Sequence, residues 1–185
     1  MVDRSIEACE AGLATLHPVV RAVALRHILL VRDQGLEIRA LYGYRPIEDH
    51  RELFLRGRAL VGGEWKVVNP ALVATPVMRS WHCYGLAYCL EVCTGGRPVW
   101  TSDAVDLVRS LGITSGAAPN GYRRRWKQPF HFDVIPPMLD KRTAESYVTG
   151  FGGDLRPFWR VCSMRWNGER YPRPARKERE QHAHV

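Results

Sequence analysis

His82 and Cys89 lie seven residues apart, and the way the chain must fold around them constrains this sequence more than any other feature. The residues after the turn predict a strand over 86–92, so His82 comes just before this strand and Cys89 lies inside it. A second strand is predicted over 130–135 and carries His131. Imidazole and thiolate are zinc ligands, so these three residues can form a site with an open fourth position. Alternatively, Cys89 is a small buried residue of the strand and binds nothing.

The other segments predict a mixed fold. Apolar residues occur both at helical spacing and in alternation, without the regular strand–helix repeat of a parallel sheet. We therefore expect an α+β fold in which a small antiparallel sheet is flanked by helices. The predicted helices cover 4–33 (interrupted at Pro18), 47–55, 103–111 (capped by Gly112) and 140–149, the further strand covers 36–41, and irregular connections cover 59–79 (with a Gly62-Gly63 turn) and 115–128.

Composition bounds the domain organisation and the partners. With 185 residues, 45% of them hydrophobic, the chain can bury one core. We predict a domain over 1–164 and a basic, disordered tail over 165–185, where apolar residues are few. The net charge of +8 suits an anionic envelope polymer or nucleic acid, and equally an ordinary basic surface.

The cysteine count and the chain start favour a reducing compartment at synthesis. Five cysteines are an odd number without a disulfide-scaffold spacing, so we expect free thiols. Met1–Glu10 has no apolar signal core, and no stretch approaches the roughly 20 apolar residues of a membrane span. We expect a monomer that is made in the cytoplasm and reaches any outside target only if another protein releases it.

Several short segments together resemble a known family. Ser80-Trp81-His82-Cys83-Tyr84-Gly85-Leu86-Ala87-Tyr88-Cys89 is similar to the signature Ser-x-His-x-x-Gly-x-Ala-x-Asp, and Pro129-Phe130-His131-Phe132 is similar to its second histidine segment. This is the family of zinc peptidases that cut D-amino-acid bonds of bacterial cell walls, including D-Ala-D-Ala carboxypeptidases and phage L-alanyl-D-glutamate endolysins. The resemblance implies a DD-peptidase/hedgehog-like fold, zinc held at His82, Cys89 and His131, and a peptidoglycan stem peptide as substrate.

Two positions depart from the family pattern. Cys89 stands where the family has its Asp ligand, and Gln128 stands where it has the carboxylate that acts as general base. An amide can hydrogen-bond a water but cannot take its proton. Two nearby carboxylates are alternative candidates for this role, Glu91 and Asp133, and Glu91 can instead complete the metal site in place of Cys89. Either can equally be an ordinary polar residue, and Asp133 can instead orient His131.

The resemblance also nominates substrate-binding residues. Tyr42-Gly43-Tyr44-Arg45 is similar to a family segment whose arginine binds the substrate carboxylate or the developing oxyanion, which implies that role for Arg45. Ser80 opens the signature, and Trp126 lies where a family tryptophan shapes the cleft. The surrounding cluster of residues 123–127 is basic, so it can also be read as a nucleic-acid contact in which Trp126 stacks on a base.

The leading hypothesis is therefore a zinc-dependent peptidoglycan peptidase of the endopeptidase or carboxypeptidase type. The alternative is a pseudopeptidase that keeps the cleft and binds a muropeptide or a protein without cleavage. A nucleic-acid-binding module is the weakest of the three, because it depends on the basic loop and tail alone.

Overall fold

The computed structural model describes residues 12–99, 101–120 and 130–169. The chain divides into two compact units, Met1–Ile135 and Pro136–Val185. No helix in the described ranges is both long and apolar enough to cross a membrane.

The first unit is built on a five-stranded antiparallel sheet. Its strands are β1 (Glu37–Tyr42), β4 (Ala87–Thr94), β5 (Arg97–Pro98), β6 (Ala118–Asn120) and β7 (Phe130–Asp133), in the order β1-β4-β7-β6, with β5 pairing on β4. β4 is the central strand, and all but its last residue are buried. With the helices this sheet confirms the predicted α+β fold.

One face of the sheet packs on two helices, α1 (Pro18–Asp33) and α3 (Ser102–Ser115), which also contact each other. His27 of α1 lies at their junction: its Nε2–H donates to Val108 O at 2.8 Å, and Tyr88 O–H donates to its Nδ1 at 3.0 Å. The rings of Tyr88 and Phe132 stack with centroids 5.4 Å apart beside it. Side chains alternate between the faces of a strand, so the intervening residues of β4 and β7 point away from this core.

The helix α2 (Ile47–Leu55) has the predicted bounds, but the segment after it does not match the expectation of an irregular connection. It forms a hairpin of β2 (Arg58–Val61) and β3 (Glu64–Val67), followed by a 3-10 turn at Pro70–Leu72. Gly62 and Gly63 form the two-residue turn with φ of 62° and 82°. Positive φ at both central residues is what a type I′ turn requires, and this turn matches the twist of the two strands.

The predicted cap of α3 was also wrong. The helix continues through Gly112 and ends at Gly116, which has φ of 95° and donates its backbone N–H to Ile113 O. A Cβ on Gly112 would lie 2.4 Å from Cε1 of Phe132. Gly112 is therefore a packing glycine inside the helix, whereas the left-handed residue that closes a helix is Gly116. The predicted loop from 115 contains β6.

The second unit contains α4 (Lys141–Gly150) and α5 (Leu155–Trp166), which contact each other. Asp140 caps α4 by accepting the Thr143 N–H at 2.6 Å, and α4 matches the predicted helix closely. α5 has no counterpart among the predicted helices, and it extends two residues past the predicted boundary at 164. Most of the predicted tail lies outside the described residues, so the boundary stays a prediction.

Candidate metal centre

His82 is positioned by a short turn that precedes β4. Residues Trp81–Tyr84 form one turn of 3-10 helix. Ser80 caps the start of this turn, because its Oγ accepts a hydrogen bond from the backbone N–H of His82 at 3.4 Å. Gly85 closes the turn with φ of 68°, a left-handed conformation that glycine adopts without strain. This turn at Gly85 directs the chain into β4.

The pairing of β4 with β7 brings in the other two side chains. In this antiparallel register Cys89 lies directly opposite His131, and Ala87 lies opposite Asp133. Directly opposed residues of an antiparallel pair share one face. This face is opposite to the one that packs on α1 and α3, so the site side chains and the core side chains alternate along the same two strands.

The three side chains predicted as metal ligands converge. His82 Nε2 lies 3.2 Å from Cys89 Sγ and 3.2 Å from His131 Nδ1, and Cys89 Sγ lies 3.5 Å from His131 Nδ1. Ligand atoms around a tetrahedral zinc with normal bond lengths are about 3.3 Å (N to N) and about 3.6 Å (N to S) apart. The triangle of donors thus has the dimensions of a zinc site. Among the His, Cys and carboxylate side chains of the described ranges, these three have ligand atoms close enough together to hold a metal ion.

The opposite nitrogen of each imidazole is committed to another acceptor. His82 Nδ1–H donates to Gly43 O at 2.6 Å, and His131 Nε2–H donates to Asp133 Oδ1 at 2.7 Å. These bonds turn His82 Nε2 and His131 Nδ1 toward Cys89, which is the orientation in which both nitrogens would coordinate a metal. Metal-ligating histidines have such outer partners in most known sites.

Electrostatics in this cluster favour the ionised thiol. Burial alone raises the pKa of Cys89, but hydrogen bonds with His131 and His82 outweigh it and hold the pKa below its usual range. Burial lowers the pKa of His131, but hydrogen bonds to Asp133 and Cys89 outweigh it and raise the pKa. Without a metal the two side chains therefore form a thiolate–imidazolium pair. The thiolate is the form of cysteine that binds metal.

The two carboxylates considered as substitute bases both have partners. Glu91, two residues after Cys89 on β4, forms an ion pair with Arg39 of the adjacent strand, where the two residues are in register. Asp133 is buried and bonds the nitrogen of His131 that points away from Cys89. This geometry favours the orienting role for Asp133 over a role as proton acceptor.

Arg45 follows β1 next to the cluster. Its backbone N–H donates to His82 O at 3.1 Å, so the chain at Gly43 and Arg45 contacts His82 twice. The Arg45 guanidinium carbon lies 5.1 Å from the centroid of the Tyr42 ring, and Nη1 lies 3.5 Å from His50 Nδ1. His50 in turn donates from Nε2 to Val77 O at 3.0 Å, which leaves Nδ1 as an acceptor for Arg45.

The remaining predicted site residues divide into two groups. Ser80 is buried at the start of the turn, where its hydroxyl caps a backbone N–H. Gln128 and Trp126 lie outside the described residues, together with the basic cluster 123–127. Sequence reasoning missed Gly43 and His50 as supports of the site. A Cβ on Gly43 would lie 2.9 Å from Gly12 O, but nothing in the local sequence predicts this approach.

The fold and the donor set define an α+β domain with a candidate three-ligand metal centre at the edge of its central strands. No protein-family model and no curated protein sequence matches the chain. Among solved structures, it is similar to the L-Ala D-Glu endopeptidase ChiX of Serratia marcescens, with a TM-score of 0.51 and 17% sequence identity. The match covers 71% of this chain and 90% of that chain. At this identity, the similarity establishes the fold.

Proposed function

We propose that the protein holds one zinc ion through His82, Cys89 and His131 and acts on the stem peptide of peptidoglycan. The observation that carries this proposal is the donor triangle, with edges of 3.2, 3.2 and 3.5 Å and with both outer imidazole nitrogens hydrogen-bonded. The fold similarity to an endopeptidase named for the L-Ala–D-Glu bond supports the choice of substrate class. Either that bond or a terminal D-alanyl bond is the target.

The chain's own residues supply orientation and charge. Zinc chemistry at such a site consists of polarising a peptide carbonyl and lowering the pKa of a water molecule. Asp133 holds His131 with Nδ1 toward the cluster, and Gly43 O holds His82 with Nε2 toward it. Gly85 makes the tight turn between His82 and β4, which brings Cys89 within reach of the same point.

Arg45 is suited to bind a carboxylate of the stem peptide. In the described part of the chain, its guanidinium contacts the Tyr42 ring and His50, and neither carries a negative charge. The positive charge is therefore available to a ligand, and a guanidinium can grip a carboxylate with two parallel hydrogen bonds. The adjacent backbone bond to His82 keeps this group beside the cluster.

A second candidate function is binding of the stem peptide without cleavage. The contacts of the two carboxylates near the cluster favour it. Glu91 is paired with Arg39, and Asp133 is bonded to His131, so each carboxylate is already held by a partner other than a water at the cluster. Gln128 stands at the predicted base position and cannot accept one at physiological pH. Loss of a general base typically lowers a rate by about 10²–10⁴.

Metal analysis combined with a peptide assay tests both candidates. Protein purified without a metal-affinity tag should contain about one zinc per chain, and Cys89→Ser should lose it. The matched control is Cys93→Ser, because Cys93 is a buried cysteine of the same strand outside the triangle. Zinc retained in Cys89→Ser, or lost equally in Cys93→Ser, would contradict the metal site.

The peptide arm separates the two candidates. Zinc-loaded protein is mixed with muropeptides that contain the L-Ala–D-Glu and D-Ala–D-Ala bonds, and products are followed by chromatography and mass spectrometry. Cleavage assigns the peptidase, and saturable binding measured by calorimetry without product assigns the binding protein. Neither cleavage nor binding, with zinc present, would reject peptidoglycan as the ligand.

A further inference from the structure

The β2–β3 hairpin carries an unusual amount of exposed apolar surface. Every residue from Leu60 to Leu72 is exposed. The large apolar side chains in this stretch are between 39% and 60% exposed: Leu60, Val61, Trp65, Val67, Val68 and Leu72. Single exposed apolar residues are common, but a contiguous group on one element marks an interaction site.

The pairing register sorts the side chains of the hairpin onto two faces. Leu60 lies opposite Trp65, and Arg58 lies opposite Val67, so Leu60, Trp65 and Val67 form an apolar stripe on one face. Among the described strands, β2 and β3 pair with each other in a separate two-stranded sheet. Within the described residues, no further strand pairs with the hairpin, and its apolar stripe is exposed.

The base of the hairpin is anchored, so the stripe is held at a fixed place. Val68 and Asn69 both donate their backbone N–H groups to Gly57 O, at 2.9 and 3.0 Å. The Arg58 guanidinium carbon lies 4.1 Å from the centroid of the Phe54 ring, and its Nη2 donates to Thr75 O at 3.0 Å. The hairpin is thus held at its base by backbone and side-chain contacts, whereas its apolar stripe is exposed.

Charge around the hairpin selects the kind of partner. Residues 56–79 contain four basic residues and one acidic residue, an excess of +3 (four minus one): Arg56, Arg58, Lys66 and Arg79 against Glu64. A second copy of the chain would bring the same positive charges together, which disfavours self-association through this face. An anionic lipid surface attracts these positive charges. Because the lipid phase is fluid and apolar, it can take up the apolar stripe without a groove of matching shape.

We infer that the β2–β3 hairpin docks on an anionic membrane surface. The stripe of Leu60, Trp65 and Val67 enters the boundary between headgroups and acyl chains, where tryptophan is enriched in membrane proteins. Lys66 lies on the other face of β3 and contacts lipid phosphate through its long side chain. This surface function is independent of the metal centre and of the proposed peptide ligand.

Vesicle sedimentation tests this inference with the full chain. The probes are vesicles of phosphatidylglycerol and phosphatidylcholine in equal parts, and vesicles of phosphatidylcholine alone, both at about 0.1 M salt. We expect binding to the anionic vesicles and at least about tenfold weaker binding to the neutral ones. The double substitution Leu60→Ser with Trp65→Ser should weaken anionic binding by at least about tenfold.

Two further variants keep the test decisive. Val68→Ser with Leu72→Ser removes neighbouring apolar side chains without touching the paired strands, and should also weaken binding. Ile113→Ser on α3 is the matched control, because Ile113 is an equally exposed aliphatic residue (62%) away from the hairpin. It should bind like the unchanged protein. Circular dichroism and zinc content should be the same in all variants.

Several results would overturn the inference. Absence of binding to anionic vesicles, equal binding to neutral vesicles, or unchanged binding in both hairpin variants would each do so. In the last case general surface charge explains the attraction. A dimer detected by light scattering that dissociates in the hairpin variants, without vesicle binding, would assign the stripe to a second copy of the chain.

Discussion

His27 is buried in its neutral form, so acidification should destabilise the protein through this residue. Its Nε2–H donates to Val108 O and its Nδ1 accepts from Tyr88, which leaves no site for a second proton. Burial lowers the pKa of His27 from 6.5 to about 4, although the bond to Val108 opposes this effect. In the unfolded chain the ordinary value of about 6.5 returns.

The direction and size of the effect follow from these two values. Above pH 6.5 neither state binds the proton, so His27 contributes its full stabilisation. Between pH 6.5 and 4 the unfolded state binds it and the folded state does not, so stability falls with pH. At about 1.4 kcal/mol per pKa unit, the loss is about 2.5 kcal/mol at pH 4.5 and approaches about 3.4 kcal/mol below pH 4.

Urea unfolding at pH 7.5 and pH 4.5, with a chelator present, measures this loss. With a urea dependence of about 2 kcal/mol per molar, the midpoint should fall by about 1 M because of His27 alone. His27→Gln is the control, because its amide can replace the Nε2–H donor and an acceptor but does not titrate. Contributions of the other groups cancel between the two proteins. An equal pH dependence in both would refute the reasoning.

Three other changes test the fold and the site. Gly112→Ala places a Cβ 2.4 Å from Phe132 and should lower the free energy of unfolding by about 1–3 kcal/mol in urea titrations, whereas a gain from helix propensity would contradict the packing role. Arg45→Ala should weaken muropeptide binding at least about tenfold in calorimetry with a melting temperature within a few degrees, and an unfolded variant would make the arginine structural. Gln128→Glu should raise muropeptide turnover by about 10²–10⁴ if only the base is missing; no gain with zinc still bound would move the defect to Cys89 or to the cleft.

Local sequence patterns determined much of the fold. The alternation over 36–41 and 130–135 predicted strands that the structure has at Glu37–Tyr42 and Phe130–Asp133, and the helix predicted over 47–55 has the observed bounds of α2. These elements follow from side-chain periodicity, which the sequence displays directly. The tight turn before β4 depends on Gly85, which has the positive φ that other residues avoid.

The sequence alone predicted the structure less well at the β2–β3 hairpin and at the C-terminal end of α3. The strands of the hairpin at 58–67 are only four residues long, and none of their residues is buried, so they lack the buried face that identifies a strand in the sequence. In α3 the sequence predicted Gly112 as the cap, whereas the helix runs on to Ser115 with Gly116 as its cap. Only the position of Phe132 shows that Gly112 is there for close packing and that Gly116 ends the helix.

The site required tertiary structure for a different reason. The sequence and its family resemblance nominated His82, Cys89 and His131, but these residues are up to 49 positions apart, and their distances depend on the register of β4 with β7. A shift of one residue would turn the opposing side chains to different faces. The bond from His82 to Gly43 O and the pairing of Glu91 with Arg39 of a neighbouring strand are likewise contacts between distant segments, which no local pattern encodes.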